Sequence, residues 1–215
     1  MKPLTHNDAL IFDIDGTLWN ASPASAKGWN LGLVKLGIDR KVSSAQIEMV
    51  AGNPFEQCVD ILLPGLRARY PELLDTLNDC ESEVVKAEGG AFFDGVLEGI
   101  TQLASAYKIF LVSNCQEWYL NLFLDFSGLR SVLAGFDCHG RAGLSKHDML
   151  SRIKSNHALN NLVYIGDTAS DERAAKEANI AFVYVSWGFG KPEGKPKTVN
   201  SFTELLRDLS LKDSC

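Results

Sequence analysis

Polar side chains follow three short apolar runs in this sequence, and their types suit phosphate and metal chemistry. They are Asp13, Asp15 and Thr17 after the first run, Ser113 and Asn114 after the second, and Asp167 and Asp171 after the third. Carboxylates crowded together without partners repel one another, so a bound cation is the natural remedy. Oxygen ligands with room left for water and phosphate favour Mg²⁺ over Ca²⁺. We therefore expect Asp13, Asp15 and Asp167 to surround a magnesium ion.

The remaining polar residues of this set suit a phosphate group. Ser113, Asn114 and Lys146 can donate hydrogen bonds to non-bridging phosphate oxygens, whose charge persists through the transition state. Gly16 lets the backbone turn closely around a ligand. A carboxylate such as Asp13 can attack phosphorus directly when it is held in line, which divides hydrolysis into two easier transfers.

Four apolar runs alternate with helical patterns and would position these side chains. The runs are residues 9–12, 109–112, 162–165 and 181–185, and the helical patterns are residues 96–107, 148–156, 171–179 and 202–209. Continuous β-favouring runs are typical of strands buried on both faces of a parallel sheet. The alternation predicts an α/β fold with a doubly wound parallel sheet, in which ligands bind beyond the carboxyl ends of the strands. The polar groups described above lie at those ends.

The stretch from residue 19 to residue 90 has a different pattern. It contains amphipathic helical patterns at residues 24–36, 44–50, 54–62 and 71–88, with no convincing strand between them. We expect an all-helical domain at 19–90, inserted into a catalytic core made of 1–18 and 91–215. Short linkers at 18–20 and at Gly89-Gly90 make a hinge plausible. Residues 188–197, rich in lysine and containing proline, are expected to form a surface loop.

Composition narrows the class of protein. A formal net charge of −6 argues against binding to a nucleic-acid backbone, which needs a basic face. It does not exclude a small phosphorylated metabolite, since a metal ion and a few local donors outweigh the global field. No apolar run approaches the ~18 residues of a membrane span. Five cysteines without C-x-x-C spacing (Cys58, Cys80, Cys115, Cys138 and Cys215), and no signal-peptide pattern, indicate reduced thiols and a cytoplasmic protein.

In their order and spacing these motifs resemble those of the haloacid dehalogenase-like superfamily. The match consists of Asp13-x-Asp15-Gly16-Thr17, then Ser113-Asn114, then Lys146, then Gly166-Asp167-x-x-x-Asp171. It covers nearly the whole chain, and the helical insertion resembles the cap domain of the phosphoglycolate phosphatase-like branch. The resemblance implies a Mg²⁺-dependent phosphatase that hydrolyses a small phosphate monoester through an aspartyl-phosphate intermediate.

The resemblance also implies a role for each motif residue. Asp13 would be the nucleophile and a metal ligand, and Asp167 a further ligand. Asp15 would protonate the leaving alkoxide and then deprotonate water, while its backbone carbonyl helps to hold Mg²⁺. Thr17, Ser113, Asn114 and Lys146 would hold the phosphate. Asp171 would steady Lys146 or a metal-bound water.

Two departures from the family pattern bear on the subfamily. Many relatives carry a Pro-x-Pro stretch after the motif lysine, whereas this chain has His147-Asp148-Met149. The fourth motif also lacks the adjacent pair of acids seen in some hexose-phosphate mutases, which argues against mutase chemistry.

Other functions stay open at this point. A dehalogenase would lack a carboxylate at position 15. A phosphonoacetaldehyde hydrolase would need a Schiff-base lysine in the insertion, where Lys27, Lys35, Lys41 and Lys86 are available. From a different class, the chain could be a phosphoacceptor signalling domain or a binding protein without turnover. In signalling receivers, however, the lysine follows the last strand rather than preceding the final acidic motif.

Some residues have simpler interpretations. Asp171 could merely complement a helix N-terminus. Lys154 competes with Lys146 but falls inside a predicted helix. Among the tryptophans, Trp19 is the best candidate for substrate contact because it follows the first motif, while Trp29, Trp118 and Trp187 are expected in the core or at the surface. The pattern identifies no particular ester as substrate, and monomer and homodimer are equally compatible with it.

Overall fold

The computed structural model describes residues 9–210, and most of them belong to a layered α/β structure. The strands are β1 (Ala9–Phe12), β2 (Trp19–Asn20), β3 (Ala91–Phe92), β4 (Lys108–Ser113), β5 (Gly135–Cys138), β6 (Leu162–Gly166), β7 (Ala181–Val185) and β8 (Lys197–Val199). Within these residues six strands form one parallel sheet in the order β5-β4-β1-β6-β7-β8. This is the predicted doubly wound parallel sheet.

Helices cover both faces of the sheet and fill the segment between β2 and β3. They are α1 (Ser22–Lys35), α2 (Ser44–Val50), α3 (Phe55–Leu62), α4 (Leu66–Arg69), α5 (Leu73–Glu88), α6 (Val96–Leu103), α7 (Glu117–Ser127), α8 (His139–Ala142), α9 (Lys146–Asn156), α10 (Ala169–Glu177) and α11 (Phe202–Ser210), with a 3-10 turn at Leu129–Ser131.

The position of β1 inside the sheet explains why its sequence is continuously apolar. Successive side chains point to opposite faces of a strand. Leu10 and Phe12 pack into the core beneath α6, α7 and α11, and Ala9 and Ile11 pack into the core beneath α9 and α10. All four residues are fully buried. Because both faces are covered, every position of β1 must be apolar, and the carboxyl end of the strand is the first place where polar groups can stand.

The segment between β2 and β3 is helical and has a hydrophobic cluster of its own. Residues from Trp29 to Leu77 form this cluster, separate from the two clusters of the sheet. The chain enters and leaves the segment side by side, because β2 pairs antiparallel with β3, with Trp19 opposite Phe92. The linker expected at 18–20 thus contains one strand of a small ribbon, and the linker expected at 89–90 directly precedes the other; the sequence pattern did not predict this ribbon.

The four strands predicted from apolar runs are present, with ends within one residue of the prediction. The edge strands β5 and β8 and the helix α7 were missed. β5 reads Gly-Phe-Asp-Cys, a run too short and mixed to show a period. The predicted loop at 188–197 ends where β8 begins.

Two further sequence expectations concern membranes and thiols. None of the helices between residues 9 and 210 combines the length and the apolar run that a membrane span requires. Cys58, Cys80, Cys115 and Cys138 are free cysteines, and all but Cys115 are buried, as expected of small apolar fillers. Cys215 lies outside the described residues.

Close packing of α1 on α5 depends on glycine. A Cβ added at Gly28 would lie 2.4 Å from the Cα of Glu81, a distance that only movement of the backbone could relieve. At Gly32, one turn later, the nearest atom would be the Cδ2 of Leu77 at 2.9 Å, the end of a flexible side chain. Gly28 therefore sets how closely the two helices approach.

We expect Gly28→Ala to lower the free energy of unfolding by about 1–2 kcal/mol, because overpacking outweighs the ~1 kcal/mol that alanine gains over glycine in a helix. Gly32→Ala is the matched control, and it should stay within about 1 kcal/mol of the parent because Leu77 can move. Urea denaturation followed by circular dichroism measures both. Equal stabilities of the two variants would show that the backbone contact at Gly28 is unimportant.

Candidate active site

The carboxyl ends of three neighbouring strands bring the predicted polar residues together. Asp13 follows β1, Ser113 ends β4, and Asp167 follows β6. These strands are hydrogen-bonded to one another in the sheet. The side chains of all three residues are buried. Burial is unusual for the carboxylates of Asp13 and Asp167, which need compensating partners.

Lys146 supplies one such partner. Its Nζ lies 3.1 Å from Oδ1 of Asp13 and 2.7 Å from Oδ1 of Asp171. Burial alone would lower the pKa of Lys146, but the carboxylates of Asp13 and Asp171 outweigh it and raise the pKa above its usual value. The lysine is therefore held as an ammonium ion at 4% exposure.

Local sequence explains how Lys146 reaches this place. Lys146 is the first residue of α9, and Ser145 caps the helix by accepting a hydrogen bond from the backbone N–H of Asp148. Serine is a favoured N-cap residue. The sequence predicted this helix to begin at 148, two residues late. Lys154, the rival lysine, lies in the same helix and donates to the carbonyl of Asn179, away from the acids.

Asp171 accepts hydrogen bonds at both carboxylate oxygens. Its Oδ1 accepts from Lys146 at 2.7 Å and from the hydroxyl of Tyr164 at 3.1 Å. Its Oδ2 accepts from the backbone N–H and the hydroxyl of Thr168, in a capping box that starts α10. Burial would raise the pKa of Asp171, but Lys146 and Thr168 hold it below its usual value. Asp171 thus both caps α10 and contacts Lys146.

The acids form a group that could hold a divalent cation. Carboxylate oxygens of Asp13, Asp167 and Asp171 lie within 4.8 Å of one another. Oδ2 of Asp13 is buried and has no hydrogen-bond partner. Three carboxylates share one ammonium ion, so negative charge is left uncompensated. A hard cation bound by oxygens of this group would balance that charge.

The titration behaviour of the acids reflects the same imbalance. Burial raises the pKa of Asp13 well above its usual range; Lys146 opposes this shift, and Asp171, Asp167 and Asp15 add to it. Burial and the neighbouring Asp171 raise the pKa of Asp167 to about 7, against the hydrogen bonds from the backbone N–H groups of Phe189 and Gly190.

Asp15 lies apart from the other acids. Its carboxylate accepts a hydrogen bond from the hydroxyl of Tyr119 on α7, and its side chain is half-buried. Burial raises the pKa of Asp15 to about 6, while Tyr119 and Lys146 lower it. A carboxyl group with this pKa can donate and accept protons near neutral pH.

The predicted phosphate donors have protein partners in this structure. The hydroxyl of Thr17 donates to Oδ1 of Asp167 at 3.2 Å. The Oγ of Ser113 accepts from the backbone N–H of Cys115, and its hydroxyl also forms a hydrogen bond with the thiol of Cys115. The amide of Asn114 donates to the carbonyl of Gly52, in the helical segment, at 2.8 Å. Asn114 thus bridges the sheet edge and the inserted helices.

The loop after β7 contributes groups that the sequence analysis missed. The backbone N–H groups of Phe189 and Gly190 donate to Oδ2 of Asp167 at 2.7 and 3.3 Å. A Cβ at Gly16 would lie 2.3 Å from that same oxygen, so glycine leaves the space in which the carboxylate sits. Backbone donors carry no side-chain signature, and only the tertiary structure identifies them. Tyr119 and Tyr164 were missed because isolated tyrosines read as core residues.

The prediction for Trp19 was wrong. Its ring is fully buried, packs edge-on against Tyr119 and Phe123 and does not line the cavity that reaches Asp15. Trp29 lies in the core of the inserted helices and Trp118 packs, half-buried, against the core of the sheet, as expected. Both also line a cavity that reaches Asp15. The pattern failed here because a residue next to a motif in sequence can point to the opposite side of the backbone.

Comparison with known proteins gives concordant matches. A family model described as haloacid dehalogenase-like hydrolase matches residues 10–185. A phosphoglycolate phosphatase of Synechococcus elongatus is 28% identical, over 84% of each chain. Another, of Colwellia psychrerythraea, is 26% identical and covers 97% of this chain and 99% of its own. A haloacid dehalogenase-like hydrolase structure from Streptococcus pneumoniae shares the fold, with a TM-score of 0.78 at 20% identity, covering 95% of this chain and 99% of its own.

The two acids that contact Lys146 should differ in their effect on stability. The pKa of Asp171 is lowered on folding, so its carboxylate adds stability above its unfolded pKa, and this is lost as pH falls through the folded pKa. The pKa of Asp13 is raised, so its ionised form subtracts stability. In EDTA near pH 7.5, we expect Asp171→Asn to lower the free energy of unfolding by about 3–5 kcal/mol. Asp13→Asn should change it by less than about 1 kcal/mol, or raise it.

Urea denaturation of both variants, followed by intrinsic fluorescence, tests this contrast. The two substitutions are isosteric and remove the same charge, so each serves as the control for the other. A larger loss for Asp13→Asn than for Asp171→Asn would contradict the assignment of Asp171 as the residue that holds Lys146.

Proposed function

The chain belongs to the haloacid dehalogenase-like hydrolase family, and we propose that it is a Mg²⁺-dependent phosphatase acting through an aspartyl-phosphate intermediate. The substrate is a small phosphate monoester. One observation carries the proposal: Asp13 is buried at the end of β1 with one carboxylate oxygen on Lys146 and the other free. A nucleophile needs such a free oxygen, held in a fixed direction.

Asp13 performs the first transfer. Its Oδ2 attacks phosphorus, the bond to the ester oxygen breaks, and the phosphoryl group is left on the carboxylate. The hydrogen bond from Lys146 to Oδ1 fixes the orientation of the carboxylate and offsets charge during attack. Asp171 acts on Asp13 only through Lys146, which it holds in place.

Asp15 moves the protons of both steps. In its protonated form it gives a proton to the leaving alkoxide, which departs as an alcohol. As a carboxylate it then takes a proton from water, whose oxygen attacks the phosphorus of the aspartyl-phosphate and releases inorganic phosphate. The pKa of about 6 supports both roles, and the hydrogen bond from Tyr119 orients the side chain.

The donor set of the acid group fits Mg²⁺. Asp13 and Asp167 would hold the ion with their side chains, and Asp15 with its backbone carbonyl. Asp171 is less suited because four hydrogen bonds already occupy its oxygens. When bound, the ion supplies positive charge that offsets the negative charge of the phosphoryl group.

We assign Ser113, Asn114, Thr17 and Lys146 to the non-bridging phosphate oxygens. Ser113 ends β4 at the same sheet edge, and Lys146 is already beside the nucleophile. The helical segment 19–90 acts in this proposal as a cap over the catalytic core of 1–18 and 91–215. The hydrogen bond between Asn114 and Gly52 is a contact that closes the cap and that substrate exchange would break.

Competing functions receive less support. The lysines considered for Schiff-base chemistry (Lys27, Lys35, Lys41 and Lys86) are all exposed, whereas such chemistry needs a desolvated lysine. A phosphoacceptor without turnover would not need a carboxyl group placed like Asp15. The four free thiols are compatible with a reducing, cytoplasmic setting.

We expect Asp13→Asn to abolish release of inorganic phosphate from p-nitrophenyl phosphate, by a factor of at least about 10⁴, because the carboxylate that receives the phosphoryl group is gone. EDTA should abolish activity in the parent, and added Mg²⁺ should restore it. Asp94→Asn, at an exposed acid of the core, is the control and should retain parental activity. Parental turnover by the Asp13 variant would end the mechanistic proposal.

Asp15→Asn should separate the two transfers. With p-nitrophenyl phosphate, whose leaving group needs no proton, we expect a burst of about one equivalent of p-nitrophenol and then slow turnover, because hydrolysis of the aspartyl-phosphate lacks its base. With alkyl phosphates even the burst should be lost. Rapid-quench measurement with both ester types decides this, and equal losses in the burst would argue against Asp15 as the acid.

A further inference from the structure

A cavity lies between the inserted helices and the sheet edge, and it begins at Asp15. Its volume is about 90 Å³, and Trp29, Phe55, Trp118 and Tyr119 contribute aromatic walls. Ser113 and Asn114 line the end next to the phosphate site. On the proposed function, on which this inference rests, Asp15 protonates the leaving oxygen, so the leaving alcohol occupies this cavity.

The walls of the cavity carry negative charge and no positive charge. Among the described residues, none of those lining it is a lysine, an arginine or a histidine, while Asp15 and Glu81 both line it. The other titratable groups of the wall are Cys58, Cys115 and Tyr119, and burial raises the pKa of each, which keeps them neutral.

Glu81 is a buried acid that the catalytic steps do not use. It belongs to α5 and is 8% exposed. The indole N–H of Trp29 donates to its Oε2 at 2.7 Å. Burial raises the pKa of Glu81 to about 7, opposed by hydrogen bonds with Ser25 and Trp29. The nearby carboxylate of Asp15 adds to this rise in the pKa of Glu81.

Asn114 adds an acceptor that has no partner. Its amide N–H₂ is held by the carbonyl of Gly52, which fixes the orientation of the side chain. Its Oδ1 is buried without a hydrogen-bond partner, and Asn114 is only 7% exposed. The cavity thus presents hydrogen-bond acceptors of Glu81, Asn114 and Asp15 between aromatic faces. A donor-rich, positively charged ligand would satisfy them, whereas a carboxylate would be desolvated beside like charge.

We propose that the leaving group is a small amino alcohol, whose ammonium ion pairs with Glu81 between the rings of Trp29 and Trp118. Aromatic faces attract cations, which adds to the charge pairing. A volume of about 90 Å³ is large enough for several water-sized groups. Beyond its ester oxygen, an ethanolamine group has three heavy atoms, so it fits this space.

This selectivity differs from what the names of the relatives indicate. The curated relatives are named phosphoglycolate phosphatases, and glycolate carries a carboxylate at the position where ethanolamine carries an ammonium ion. The two esters are of nearly equal size, so volume does not separate them. The sign of the charge in the cavity separates them.

Three esters of matched size test the proposal at saturating Mg²⁺ and about pH 8, above the pKa of Glu81. They are O-phosphoethanolamine, n-propyl phosphate and 2-phosphoglycolate, with p-nitrophenyl phosphate as a general measure of phosphatase activity. We expect kcat/KM for O-phosphoethanolamine to exceed that for n-propyl phosphate by about tenfold or more, with 2-phosphoglycolate lowest.

Glu81→Gln should reduce the advantage of O-phosphoethanolamine over n-propyl phosphate to about threefold or less, with kcat/KM for n-propyl phosphate nearly unchanged, because glutamine keeps an oxygen for Trp29. Glu83→Gln, an exposed position on the same helix, is the matched control and should keep the parental order. A charge effect at Glu81 changes the ratio between esters, whereas a merely structural effect would lower all rates together.

The outcomes separate this inference from the proposed function. If p-nitrophenyl phosphate is hydrolysed but 2-phosphoglycolate matches or exceeds O-phosphoethanolamine, the inference is wrong and the phosphatase assignment stands. An unchanged ratio in Glu81→Gln also overturns it. If no ester is hydrolysed, the proposed function fails and the inference with it. Should Glu81→Gln not fold, the order of the three esters in the parent decides.

Discussion

The structure depends on one buried interaction, the ammonium ion of Lys146 between the carboxylates of Asp13 and Asp171. A lysine and two acids removed from water are costly to hold unless each has its partners. Asp171 has them in full, whereas Asp13 keeps one oxygen free. On the proposed function, the same ion pair stabilises one acid and leaves the other free to react. Stability and reactivity are then divided between two carboxylates that are both within hydrogen-bonding distance of one nitrogen.

The elements of the fold follow from the need to bring these groups to one edge. Strands β1 and β6 end at Phe12 and Gly166, and α9 and α10 begin at Lys146 and Ala169, so the carboxyl ends of strands meet the N-termini of helices. Caps at Ser145 and Thr168 fix where each helix begins. Because the strands are buried on both faces, their apolar sequence keeps polar groups off the sheet until it ends. If either helix were capped one residue earlier or later, Lys146 or Asp171 would no longer lie at its present position in the site.

Much of the fold and of the candidate site could be predicted from the sequence, because the central strands and the acids after them have local sequence signatures. Continuous apolar runs identified the central strands, and the acids after them identified the edge. Edge strands such as β5 were missed because Gly135–Cys138 shows no period. The amides of Phe189 and Gly190, and the phenol of Tyr119, could not be found because they reach the acids through tertiary contacts. The position of Trp19 next to a motif was also a poor guide to substrate contact, because Trp19 packs into the core. Trp118, far away in sequence, lines the cavity.

The cavity shows how one site can keep its chemistry while its selectivity changes. Asp13, Lys146 and Asp171 are held by elements of the core, and none of the three lines the cavity. Glu81 and Trp29 come from α5 and α1, whose spacing is set by Gly28 lying against the backbone of Glu81. A substitution in these helices alters the charge or shape of the cavity without touching the ion pair at Lys146. On the proposed function, the inserted helices select the leaving alcohol and the sheet edge carries out the phosphoryl transfer. The same sheet edge can then serve different substrates, because the residues that select the alcohol lie outside it.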